Sequence, residues 1–152
     1  MKIRIEIDEN LTEQEVIIRA PAWNEEIHTL KERISGECSI PSMLSVRQKE
    51  REFFIPLSDI LFFETENKAI FAHTCDKMLK TDYKLYELEE MLPGYFMRIS
   101  KSTIVNCNHI FSITRNLTAS SVVEFRDSHK QVYVSRQYYK MLRDYMAEKR
   151  RG

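Results

Sequence analysis

Glycine is almost missing from this chain, with three in 152 residues. A loop that cradles phosphate through its backbone needs several glycines at fixed spacing, so nucleotide-binding loops of the Walker or dinucleotide type are excluded. Cysteine is equally sparse. Cys38, Cys75 and Cys107 are odd in number, far apart and without a C-x-x-C spacing, which argues against a disulfide framework and for a reduced compartment. Long apolar runs are absent too: no segment approaches the ~20 residues of a membrane span, and the alternating start Met1-Lys2-Ile3-Arg4-Ile5-Glu6 does not make a signal peptide. The expected location is cytoplasmic.

Net charge is the last thing lacking, at zero, but the balance is uneven. Residues 1–45 hold five Lys/Arg against nine Asp/Glu, whereas residues 98–152 hold eleven against four. Local field rather than net charge governs anion binding, so a basic C-terminal half suits a nucleic-acid partner despite the neutral total. At this length the chain accommodates one ordinary domain and a small appendage.

The appendage is expected over residues 1–42. Ile3, Ile5 and Ile7 alternate with charged residues at the period of a half-buried strand, Val16 to Arg19 offers a second strand, and Trp23, Ile27, Leu30 and Ile34 recur at helical spacing. This predicts a small acidic strand-strand-helix module, stopped at Gly36 and followed by a linker to Ser42. From residue 43 to 152 the pattern predicts a mainly β domain, with the whole chain α+β. Strands are expected at Met43–Arg47, Glu52–Ile55, Ile60–Glu66, Ala69–Cys75, Met78–Lys80, His109–Thr114, Val122–Arg126 and Gln131–Val134. Because glycine is scarce, Asn67, Asn116 and Asp127 must supply the tight turns. Two helices complete it, one capped by Asp82 and ended by Pro93-Gly94, the other capped by Ser135 with Tyr138, Met141, Leu142, Tyr145 and Met146 at core spacing.

Chemistry concentrates between Phe96 and Asn106. Arg98, Ser100, Lys101, Ser102 and Asn106 offer the donors that phosphates and base edges accept, while Phe96, Ile99, Ile104 and Val105 anchor the segment to a core. Val134-Ser135-Arg136 adds another cation thirty residues on. Other readings have less support. His73 with Cys75 and Cys107 with His109 share a two-residue spacing, which leaves open a Cys/His redox or metal sensor, though buried apolar cysteine is the common case and no metal or other cofactor is expected. Glu64 lacks a paired acid or nucleophile, so the chain is not expected to be an enzyme or to take a small-molecule substrate. A β-rich module that binds another polypeptide along a sheet edge is the main alternative function.

The run Phe96-Met97-Arg98-Ile99-Ser100-Lys101-Ser102-Thr103-Ile104-Val105-Asn106, the closing Ser135-Arg136 pair and the Ile55-Pro56-Leu57-Ser58-Asp59-Ile60-Leu61-Phe62-Phe63-Glu64 stretch resemble the signature of LytTR-type DNA-binding domains, over residues 46–150. One departure stands out: the family commonly has histidine where this chain has Ser100. The resemblance implies an elongated set of small antiparallel sheets whose loops enter successive major grooves of duplex DNA. It implies Lys101 and Arg136 as base contacts, with Asn67 and Lys68 on a third loop, and Arg98, Ser100, Ser102, Asn106, Ser135 and Lys140 as phosphate contacts or loop braces. It further implies a sequence-specific transcription regulator acting at paired direct repeats with DNA bending, and so a homodimer at least on DNA. Relatives often carry a phosphoacceptor receiver domain, for which 45 residues leave no room. Some short relatives are restrained by a small membrane protein, so residues 1–42 are expected to serve dimerisation or the docking of such an inhibitor.

Overall fold

The computed structural model describes residues 2–35 and 43–151, and the chain divides into two compact units, residues 1–39 and 40–152. In the first unit one helix, α1 (Glu25–Ser35), is capped by Asn24, whose Oδ1 accepts from the Ile27 amide at 2.9 Å. Neither expected strand forms among the described residues. Ile3, Ile5 and Ile7 are 88, 82 and 87 % exposed, and Val16 and Ile17 are also exposed. The alternation is real, but a lone two-stranded ribbon with nothing covering its apolar face is marginal in water, so the period alone does not create a ladder. The expected helix stop at Gly36, the linker beyond it and Cys38 lie outside the described residues.

Among the described residues the second unit holds ten strands, in antiparallel sheets as the sequence predicts, with two α-helices and two short 3-10 turns. The strands are β1 (Met43–Gln48), β2 (Arg51–Pro56), β3 (Phe62–Glu66), β4 (Ala69–His73), β5 (Met78–Thr81), β6 (Phe96–Arg98), β7 (Thr103–Asn106), β8 (Ile110–Thr114), β9 (Ser121–Phe125) and β10 (Gln131–Val134). Helix α2 (Leu85–Met91) lies between β5 and β6, and α3 (Arg136–Arg151) follows β10. The larger sheet runs β2-β1-β5-β4-β3-β7-β6 and the smaller β10-β9-β8. All eight expected strands are present within a residue or two of their ends. Strands β6 and β7 are additional, because a polar turn between them disguises a hairpin as one donor-rich segment.

Two cores flank the middle of the larger sheet. Phe63 and Ile104 stand opposite each other on β3 and β7 and join Leu44, Val46, Leu79, Leu85, Leu88 and Phe96 on the face covered by α2. Phe62 and Val105, the next pair along, point the other way into a second core with Val123, Phe125, Val132, Val134 and Leu142 from the small sheet and α3. These strands are apolar on both faces, which is why they read as unbroken hydrophobic runs.

Local chemistry explains the remaining differences. Asp82 does not cap α2; its carboxylate pairs with Arg47, and Glu87 instead accepts from the Lys84 amide at 3.1 Å. The Ser135 carbonyl, rather than its hydroxyl, starts α3 by accepting from the Tyr138 and Tyr139 amides. Lys49, Asn67, Lys68 and Asp127 take positive φ, so asparagine, aspartate and lysine occupy turns where glycine would be least strained.

Candidate nucleic-acid interface

Register places three turns and a helix start at one end of the unit. Glu64 of β3 faces Thr103 of β7, and the Thr65 amide donates to the Ser102 carbonyl at 2.9 Å, so the β3–β4 hairpin tip and the β6–β7 turn emerge from the same sheet end. The Ser135 amide then donates to the Ile99 carbonyl at 2.9 Å, joining the first residue before α3 to the β6–β7 turn. Because Val134 pairs with Ser121, the β8–β9 turn also lies beside that helix start. Sequence positions more than thirty apart are thereby gathered.

The β6–β7 turn is held from within. Arg98 lies along it, Nε donating to the Ser100 carbonyl at 2.7 Å, one terminal nitrogen to the Lys101 carbonyl at 2.5 Å and the other to the Glu89 carboxylate at 3.0 Å. Its guanidinium is thus occupied with bracing. Ser100 Oγ accepts from the Ser102 amide at 3.2 Å and lies 3.3 Å from Ser102 Oγ, closing the turn. Asn106 is fully buried; its side-chain amide donates to the Ile60 carbonyl and its oxygen accepts from the Asn108 amide, both at 2.9 Å. It fastens β7 to the chain before β3 and presents nothing to a phosphate.

What the braces leave exposed is Lys101. Its side chain is exposed, as are those of Arg136 and, one helical turn later, Lys140. Among the described residues none of these three cations has a carboxylate partner. Ser135 Oγ is buried beside the start of α3 with no hydrogen-bond partner among the described residues, next to amides that begin a helix and favour anions. Asn67 and Lys68 sit exposed at the hairpin tip in the left-handed conformation at φ 49° and 66°, so both are fixed there by backbone geometry. Arg115, absent from the sequence-based candidates, lies over the Tyr139 ring at 5.1 Å, close to the same helix start. Only its place beside a turn could have signalled this. Arg143 extends the exposed face of Arg136 and Lys140 by another turn of α3.

Elsewhere the histidines and cysteines do not converge. His73 stacks on Phe62 with ring centres 4.3 Å apart, and its Nδ1 lies 3.2 Å from Lys130 Nζ; His109 contacts the Ser58 carbonyl; Cys107 is buried and Cys75 exposed. No group of three or more His, Cys, Asp or Glu side chains among the described residues is arranged to hold a metal ion. Burial, aided by the Lys130 charge, lowers the His73 pKa to about 4, and burial pushes the Cys107 thiol up to about 12. Burial raises the Glu64 pKa, and so does Glu66, two positions along the same strand. No helix among the described residues is long and apolar enough to cross a membrane.

Comparison with known proteins gives the family and the fold. The family model for the LytTr DNA-binding domain matches residues 50–147. Proteins described as uncharacterized HTH-type transcriptional regulators from Staphylococcus aureus strains NCTC 8325 and MRSA252 are each 31 % identical over 144 residues, 95 % of this chain and 97 % of theirs. A solved LytTr DNA-binding domain from Bacillus cereus superposes with a TM-score of 0.64 at 25 % identity, over 68 % of this chain and 95 % of that one. In this chain five strands separate α2 from α3, so among the described residues no two helices form the short-turn pair of a helix-turn-helix.

Proposed function

The chain belongs to the LytTR family of DNA-binding domains and is a DNA-binding transcription regulator, and from that premise we propose that it reads base edges in the major groove through loops rather than a recognition helix. The hydrogen bond from Ser135 to Ile99 carries this reading, because it sets the Lys101 turn beside the start of α3 and so aims Lys101 and Arg136 at neighbouring positions of one duplex face. Lysine and arginine both suit guanine O6 and N7, and Asn67 can pair with adenine. Around them Lys140 and the first amides of α3 supply phosphate contacts, with Lys68 and Arg115 extending the charged rim, while the buried Ser135 hydroxyl stays out of a phosphate's reach. Arg98, Ser100, Ser102 and Asn106 hold the scaffold still.

Two such copies bound at paired direct repeats, with the duplex bent toward them, would place successive major grooves against successive interfaces. Residues 1–42 then serve to join the copies or to dock a small membrane protein that restrains them. The test is fluorescence anisotropy against fragments upstream of the protein's own gene across a salt series. Binding is expected to weaken linearly in log salt by about 0.9 per phosphate neutralised. Lys101→Ala and Arg136→Ala should each cost about 1–3 kcal/mol on the specific fragment and far less on unrelated DNA. Equal loss on every sequence would make both residues phosphate contacts, and no binding to any duplex at low salt would overturn the reading.

A further inference from the structure

The opening residues carry a self-complementary code. From Lys2 to Asp8 the order is Lys, Ile, Arg, Ile, Glu, Ile, Asp: three isoleucines alternate with charges that are basic in the first half and acidic in the second. Arg4 and Glu6 form an ion pair within the chain, so side chains two residues apart meet on one side, as in an extended strand. All three isoleucines are more than four-fifths exposed, and residues 2–8 join no ladder.

We infer that residues 2–8 form an antiparallel strand pair with the same residues of a second copy, centred on Ile5. This rests on reading residues 1–42 as a dimerisation element. In that register Lys2 faces Asp8, Ile3 faces Ile7, Arg4 faces Glu6, and Ile5 faces its own counterpart across a two-fold axis. All charged pairs are opposite in sign, and the six isoleucines gather on one face. Opposite-charge and apolar cross-strand pairs each stabilise such a ribbon. The neighbouring registers are worse. A slip of two residues one way sets Arg4 against Arg4, and the other way Glu6 against Glu6, while a slip of one sets isoleucine against charge. A parallel pair would set like charge against like throughout. The pattern therefore selects the partner, direction and register, which a partner unrelated to this chain would not require.

A ribbon this short is weak alone, and it gains when two copies are held near one another, as on adjacent DNA sites. Two charge-reversed full-length chains test it. K2E/R4E, acidic throughout the segment, and E6K/D8K, basic throughout, are each expected to self-associate about tenfold or more weakly than wild type in sedimentation equilibrium. An equimolar mixture of the two should recover wild-type association as a heterodimer. Ile5→Cys, in a chain whose Cys38 and Cys75 are serine, should form an inter-chain disulfide on mild oxidation, since facing residues of an antiparallel pair lie within disulfide reach. Association of either reversed chain indistinguishable from wild type, a mixture that stays apart, or an Ile5→Cys chain that does not cross-link would each overturn the inference. Lys101→Ala should leave association untouched while weakening DNA binding, so failure of the strand pair and failure of the DNA reading give different results.

Discussion

At the scale of single residues, two cations three positions apart divide the labour. Arg98 spends its guanidinium on two loop carbonyls and Glu89, whereas Lys101 is exposed to solvent. Arg98→Ala should therefore weaken DNA binding by loosening the turn while leaving the salt slope unchanged. If Lys101 also neutralises a phosphate, Lys101→Ala should reduce that slope by about 0.9. His73 gives a pH prediction. Its folded pKa, about 4, lies below the ordinary 6.5, so between those values the unfolded chain binds more protons and stability rises with pH. Urea denaturation should show stability fully present above pH 6.5 and falling by up to roughly 3 kcal/mol toward pH 4, a decline that His73→Gln flattens. The cysteines differ as sharply: a thiol reagent at neutral pH should label exposed Cys75 quickly and buried Cys107 only after unfolding.

At the scale of elements, the β3–β4 hairpin tip carries backbone strain. Lys68 adopts φ 66° without being glycine, which costs about 1 kcal/mol. Lys68→Gly should accordingly raise stability by up to about 1 kcal/mol in denaturant melts while lowering DNA affinity, separating backbone cost from side-chain benefit. The eight expected strands were readable because apolar runs were bounded by polar turns, several of them built on Asn or Asp. The β6–β7 hairpin was not, since Arg98 to Ser102 looks like a polar reading segment and its turn is stabilised by side-chain bonds rather than by a glycine pair. Nor does the sequence show why Asp82 leaves α2 uncapped: aspartate suits a cap, but Arg47, thirty-five residues away, claims its carboxylate. The same limit made Ile3, Ile5 and Ile7 resemble a covered strand, although all three are exposed.

At the scale of the whole molecule, the candidate site exists only because both cores form. Lys101 and Arg136 were legible as residue types within a family pattern, yet their closeness depends on Ile99 and Ser135 meeting, and Arg115 had only its place beside a turn to signal it. Truncation in either core should thus reach the DNA face. Phe62→Ala and Phe63→Ala, on opposite faces of β3, should each cost about 3–5 kcal/mol in denaturant melts, with a fall in active DNA-binding fraction that follows the loss of fold.

The back-to-back phenylalanines of β3 also impose a rule of phase. Phe62 serves one core and Phe63 the other, so deleting or inserting a single residue ahead of them would turn each ring toward the wrong layer and carry Glu64 inward with it. Substitution there is a local injury; a change of length is an inversion. β3 can therefore drift in spelling but never in count.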